Sequence, residues 1–248
     1  MQLKRAFLVL LLFVSPAFGQ WHPQKSNTDA RLLGLSIVNG NVVWVSGTGG
    51  TFVRTTDGGT TWQAGTVAGA EKLDFRQVYA IDGETAYLLS IGKGNESRIY
   101  KTTDAGKNWL LEYTEQNPKA FLDCMAFWDA THGILVGDPL DGKPELLTTS
   151  DGSAHWTPLQ SSTIPPAKNG EGSPASGTCI ATYAEEKGRK ENWQAWFGDR
   201  KRITRLPHRR FRQDVDRLRD AARHRPEPGR LLDRRRGCRP AGDRRRRL

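Results

Sequence analysis

The chain has 248 residues, enough for one large domain or two small ones, and a formal charge of +10. That charge is lopsided: residues 1–199 hold 17 Lys+Arg against 21 Asp+Glu, residues 200–248 hold 20 against 6, and all eight Trp lie in the first stretch. The part able to bury a core is therefore mildly acidic, which excludes a chain-wide basic surface for nucleic acid and leaves the basic character to the tail.

At the start, Lys4 and Arg5 precede an apolar run, Ala6 to Val14, and the small-residue exit Ala17-Phe18-Gly19. This order predicts a signal peptide over 1–19 and an exported chain, periplasmic or extracellular, beginning near Gln20. Neither that run nor any later segment is long and apolar enough to cross a bilayer as a helix.

Three units follow. In the first, the runs Leu35 to Val38, Val42 to Val45 and Thr51 to Arg54 are broken by Asn39-Gly40 and by Gly47 to Gly50, so three strands with tight turns are expected. The second repeats the order with Val78 to Ile81, Ala86 to Ser90 and Arg98 to Lys101, and the third with Cys124 to Trp128, Gly133 to Gly137 and Glu145 to Thr148. No stretch keeps a helical apolar period, so residues 20–198 read as all-β. The units close on "TTDGGTTW" (Thr55 to Trp62), "TTDAGKNW" (Thr102 to Trp109) and "TSDGSAHW" (Thr149 to Trp156). Asp57, Asp104 and Asp151 stand 47 residues apart, as do Trp62, Trp109 and Trp156. A period of about 40–50 residues is that of a propeller blade, a four-stranded sheet that buries its faces only against its neighbours.

Each copy falls where a third strand should turn into a fourth. The Asp can accept backbone N–H groups of its own turn, Gly59 and Gly106 can take positive φ, and the Trp adds apolar area to the stack. One carboxylate per turn is too few for a calcium loop, and a catalytic acid is not needed in triplicate. Thr55, Asp57, Gly59 and Trp62, Thr102, Asp104, Gly106 and Trp109, and Asp151 and Trp156 are therefore expected to be structural. The Thr-x-Asp-x-Gly-x-Thr-Trp pattern resembles the Asp-box, or bacterial neuraminidase repeat, with the third copy degenerate at Ser153. With the leader, the chain resembles exported propellers of the photosystem II stability and assembly factor type and their bacterial relatives, some labelled oxidoreductases. The resemblance covers residues 30–198 and implies a seven-bladed ring with peripheral Asp-boxes, of which this chain holds three blades and part of a fourth.

The fourth unit begins with strands expected around Thr178 to Tyr183 and Gln194 to Phe197, and an Asp-box is due near residue 211. None appears. Residues 199–248 instead switch from Lys to Arg and keep a single aromatic, Phe211, which is what a frameshifted or misassembled end would produce; a basic disordered segment is the competing reading. Nucleic acid is not an expected partner, since exported proteins seldom meet it.

Candidate chemistry is sparse. Three cysteines are few for a disulfide scaffold, so Cys124 and Cys179 are expected simply to be buried. The five His show no metal-ligand spacing, no catalytic set is visible, and no cofactor or metal is expected. A propeller offers a ligand site at the mouth of its channel, near the starts of the innermost strands. The candidates there are Asp74, Arg76, Asp123, Asp138 and, in the loop Pro165 to Gly177, Glu171. The expected function is a non-enzymatic, protein-binding assembly scaffold; a sialidase-like or other glycoside hydrolase, with a glycan ligand, is the alternative.

Overall fold

The computed structural model describes residues 22–159, 166, 179–187, 190–198 and 203–206. The expected leader, Glu171 with the rest of its loop, and the tail beyond 206 lie outside them. The described chain is all-β and forms an incomplete propeller of four blades. Blade 1 consists of β1 (Leu32–Ile37), β2 (Val43–Gly47), β3 (Thr51–Thr55) and β4 (Gln63–Thr66). Blade 2 follows with β5 (Asp74–Ala80), β6 (Ala86–Ile91), β7 (Arg98–Thr102) and β8 (Leu110–Thr114), and blade 3 with β9 (Leu122–Phe127), β10 (Gly133–Leu140), β11 (Lys143–Thr149) and β12 (Thr157–Pro158). Blade 4 shows β13 (Ile180–Lys187), β14 (Lys190–Gly198) and β15 (Ile203–Leu206), so its sheet continues past residue 198. Each sheet is an antiparallel meander in chain order, and the first strands β1, β5, β9 and β13 lie side by side along the inner edge.

The first turn of each complete blade is held by one short acceptor. Asn39 Oδ1 takes the N–H groups of Asn41 and Val42, both at 2.9 Å, and Asp82 Oδ1 those of Glu84 and Thr85 at 2.7 and 2.6 Å. Asp129 Oδ1 does the same for Thr131 and His132 at 2.7 and 2.8 Å. These side chains satisfy backbone donors that the hairpin leaves unpaired, the reason Asn and Asp are favoured in turns.

Three apolar clusters form the core. One joins blades 1 and 2 around Trp44, Phe52, Phe75 and Leu88, one joins blades 2 and 3 around Tyr87, Ile99, Leu122 and Met125, and one joins blades 3 and 4 around Ile134, Val136, Ala195 and Phe197. The core thus sits between sheets, as the repeat requires, because a single blade has two faces and no interior. Polar ties cross the same seams: Gln77 Nε2 donates to the Met125 carbonyl at 2.8 Å while its Oε1 accepts the Met125 N–H at 2.7 Å, and Thr182 Oγ1 donates to the Phe127 carbonyl at 2.6 Å.

The cysteines depart from expectation. Cys124 and Cys179 are buried, but they are also joined in a disulfide, with Cα atoms 6.0 Å apart. Cys124 lies on β9 and Cys179 just before β13, so the bond ties the inner strands of blades 3 and 4. Their separation of 55 residues hid this, since it is adjacency of blades that brings them together.

Candidate functional site

The two ends of the sheets carry different chemistry. At the end formed by the first turns lie the three clasps, and their hydrogen bonding repeats atom for atom. Thr55 Oγ1 donates to Asp57 Oδ1 at 2.8 Å and accepts the Gly59 N–H at 3.0 Å; Asp57 in turn accepts the Thr61 N–H at 2.9 Å and the Thr61 hydroxyl at 2.7 Å. In the second copy Thr102, Asp104, Gly106 and Asn108 play the same parts, with Asn108 Nδ2 to Asp104 Oδ2 at 2.7 Å. In the third, Thr149, Asp151, Ser153 and His155 do so, with His155 Nδ1 to Asp151 Oδ2 at 2.7 Å. The residue just before the Trp is therefore the second donor to the carboxylate, a role the sequence did not reveal because Thr, Asn and His share little but a hydrogen to give.

Donation to the ionised form lowers each carboxyl. The Thr61 amide, then the Thr61 and Thr55 hydroxyls, hold Asp57 below the usual range, and the Asn108 amide and side chain with Thr102 bring Asp104 down to about 2. At Asp151 burial acts upward, but the His155 side chain and amide outweigh it and the net shift is down. Each clasp is pinned to the first turn of its own blade by one more bond, from the N–H of Gly58, Ala105 and Gly152 to the carbonyls of Asn41, Glu84 and Thr131.

The Trp rings pack backwards onto the preceding blade. Trp109 of blade 2 sits edge-on to Trp44 with centroids 6.1 Å apart and 5.2 Å from Phe52, both in blade 1. A Cβ added to Gly106 would come within 2.7 Å of the Phe52 ring, so this glycine serves the blade contact as well as its φ of 84°. Trp156 is buried edge-on to Phe127 of its own blade, in the cluster that blade 3 shares with Tyr87 and Ile99 of blade 2, and the Gly152 carbonyl accepts both Lys101 Nζ at 2.7 Å and Tyr87 Oη at 3.1 Å from blade 2. Trp62 is half-buried and donates to Gln24 Oε1 at 3.3 Å, so the segment before blade 1 stands in for a preceding sheet.

The other end of the sheets carries the channel-mouth candidates. Asp74 opens β5 and its Oδ1 accepts the Gly49 N–H at 3.3 Å, tying blade 2 to the second turn of blade 1. Arg76 and Asp123 occupy matching irregularities: the β5–β6 ladder skips Arg76 between Phe75 and Gln77, and the β9–β10 ladder skips Asp123 between Leu122 and Cys124. Such bulges re-aim a side chain. Arg76 and Asp138, the latter near the end of β10, both come into electrostatic range of Asp123. Asp123 is 2% exposed, its Oδ2 is buried with no hydrogen-bond partner, and burial first, then the Asp138 charge, pushes it up to about 8 against the opposing pull of Arg76. At neutral pH Asp123 is therefore held largely protonated, beside Arg76 and Asp138. Glu171 lies outside the described residues. A second pair was missed by the sequence reading: Glu145 on β11 is raised to about 7 by burial and by buried Glu115. Among the described residues no group of three or more His, Cys, Asp or Glu could hold a metal ion.

Four-stranded meanders stacked side by side and clasped in this way define an Asp-box β-propeller. Residues 15–117 match the family model of the photosynthesis system II assembly factor YCF48, to which this part of the chain is similar. No curated protein matches the chain. Among solved structures it is similar to YCF48 bound to D1 peptide, at 17% identity and a TM-score of 0.48, over 75% of this chain and 59% of that one. It is also similar to YCF48 from Cyanidioschyzon merolae (19%, TM-score 0.42, 73% and 57%) and to the GH74 enzyme of Niastella koreensis (13%, TM-score 0.42, 71% and 30%). The chain thus spans somewhat under three fifths of the length of the two YCF48 structures it matches.

Proposed function

We propose that this is an exported, non-enzymatic propeller that binds a protein partner and acts as an assembly scaffold. The match of residues 15–117 to an assembly-factor family carries the reading. The chemistry of the channel mouth agrees with it, because Arg76, Asp123 and Asp138 offer hydrogen-bonding and charged groups for a peptide. Export is supported by the leader pattern at Lys4 to Gly19 and by the disulfide, a bond that persists in oxidising compartments.

The test is a cross-linked pull-down from the exported fraction, run in parallel with wild type and with Arg76→Glu. A partner recovered by wild type and lost with the variant supports the reading. Recovery of no protein by wild type, or turnover of a glycan panel that Asp138→Asn abolishes, overturns it.

A further inference from the structure

The turn between the first two strands is built alike in the three complete blades. Asn39, Asp82 and Asp129 each turn Oδ1 toward the N–H groups two and three places on. The residue before each closes the same loop, from the N–H of Val38, Ile81 and Trp128 to the carbonyls of Val42, Thr85 and His132. Blades 2 and 3 use a carboxylate as the acceptor. Blade 1 alone uses an amide, and Gly40 follows it. Among the described residues no other Asn precedes a Gly; Asn169, which does, lies outside them.

That pair is arranged for one reaction, closure of an imide ring by the Gly40 nitrogen on Asn39 Cγ. Both residues are exposed, and among the described residues neither the Gly40 N–H nor Asn39 Nδ2 meets a hydrogen-bond partner. A Cβ added at Gly40 would meet nothing within 4 Å, so no neighbour blocks the approach. Asn39 Oδ1, where negative charge gathers as the ring closes, already accepts the Asn41 and Val42 N–H groups, both at 2.9 Å. Donors fixed at that range on a developing oxyanion lower the barrier to its formation. The clasp helps to hold them there, since the Asn41 carbonyl accepts the Gly58 N–H at 3.0 Å.

We propose that Asn39 is a self-modification site, at which the folded turn of blade 1 promotes loss of the side-chain amide and becomes the carboxylate turn that blades 2 and 3 already have. Hydroxide takes the proton of the Gly40 nitrogen, that nitrogen bonds to Asn39 Cγ, and the Cγ–Nδ2 bond breaks, Nδ2 leaving as ammonia with a proton from water. Water then adds to the imide. Opening at Cγ gives Asp, and opening at the main-chain carbonyl gives isoaspartate. In sum one water is consumed and one ammonia released, with nothing oxidised or reduced. Isoaspartate threads an extra carbon into the main chain and takes the acceptor away from Asn41 and Val42, so the fold favours the Asp product. This site is independent of the partner-binding reading and lies at the opposite end of the sheets from the channel mouth.

The test incubates the full chain in mildly alkaline buffer, folded and in guanidinium chloride, and follows Asn39 by peptide mapping with mass spectrometry that separates Asp from isoaspartate. Conversion should run roughly ten-fold faster in the folded protein, because unfolding disperses the two donors. The folded sample should also be richer in Asp. Asn117 serves as the blank, since Pro118 has no N–H with which to close the ring. Gly40→Ala crowds the closure with a methyl group and should slow it roughly ten-fold. Its turn should stay intact, because Ala130 holds that place in blade 3; far-UV circular dichroism checks this. Asn39→Asp, the product, should melt no lower than wild type, as Asp82 and Asp129 fill the same role. Conversion no faster in the folded than in the unfolded chain overturns the proposal. So does a Gly40→Ala variant that reacts like wild type, a folded product no richer in Asp, or a lower melting temperature for Asn39→Asp.

Discussion

Ser153 shows what the clasp asks of one residue. It holds the position of Gly59 and Gly106, at φ 80°, with its hydroxyl buried and unpartnered. Left-handed backbone costs a non-glycine residue about 1–2 kcal/mol, and a buried hydroxyl without a partner adds to that. Ser153→Gly should therefore stabilise the protein by about 1 kcal/mol, the larger freedom of glycine in the unfolded chain offsetting the rest, and a thermal melt reads it. Asp123 is a cost of another kind. Its folded-state pKa, about 8, lies above the unfolded value, so below about pH 4 both states are protonated and it costs nothing through ionisation. As pH rises toward 8 the unfolded state releases a proton that the folded state keeps, and stability falls. Glu145, raised to about 7, adds to the same slope. Asp123→Asn should flatten the decline in melting temperature between pH 5 and 8 and gain about 1–3 kcal/mol at the upper end; an unchanged slope would show that this carboxyl is solvated.

At the scale of elements, the sequence exposed what lies within a blade and concealed what lies between blades. Strands β2, β3, β6, β7 and β10 were legible because Gly, Asn and Asp punctuate short apolar runs, and the clasp strand ends because Asp and Trp recur at fixed spacing. Asp129 as the acceptor of a first turn, the bulges at Arg76 and Asp123, and the Cys124–Cys179 bond were not. Each depends on which strand lies opposite, and local periodicity is silent about that. Arg76, Asp123 and Asp138 were picked out by their place near strand ends, while the orphaned oxygen of Asp123 needed burial to become visible. The disulfide makes a measurable claim about blade 4. Closing a loop of 55 residues contributes about 4 kcal/mol in the chain-entropy account, less any strain. Cys179→Ala should lose most of that, and amide exchange in Ile180–Lys187 and Lys190–Gly198 should quicken before exchange in blades 1 and 2. Uniform quickening would mean that blade 4 is not separately held.

For the molecule as a whole, stability must pass from blade to blade, since the buried residues of every core cluster come from two neighbouring blades, with only Tyr79 of blade 2 reaching across to the cluster of blades 3 and 4. Such an array melts as one unit only while its interfaces are strong relative to the individual sheets. The seam between blades 2 and 3 is where this can be cut most cleanly. Gln77 is 7% exposed and meets the Met125 N–H and carbonyl with both ends of its amide, so Gln77→Ala leaves two buried backbone groups unpaired in β9 and opens a small void in β5. Each orphaned group costs about 1–3 kcal/mol, and because the loss falls on the seam it weakens coupling more than it weakens either sheet. Differential scanning calorimetry should show one transition in the wild type and two in Gln77→Ala, with blades 1 and 2 separating from blades 3 and 4. Asn39→Ala, which removes an acceptor inside blade 1 and touches no seam, should lower the melting temperature and leave the transition single. If both variants melt in one step, cooperativity does not run through the seams, and the blades are held together by something other than their shared faces.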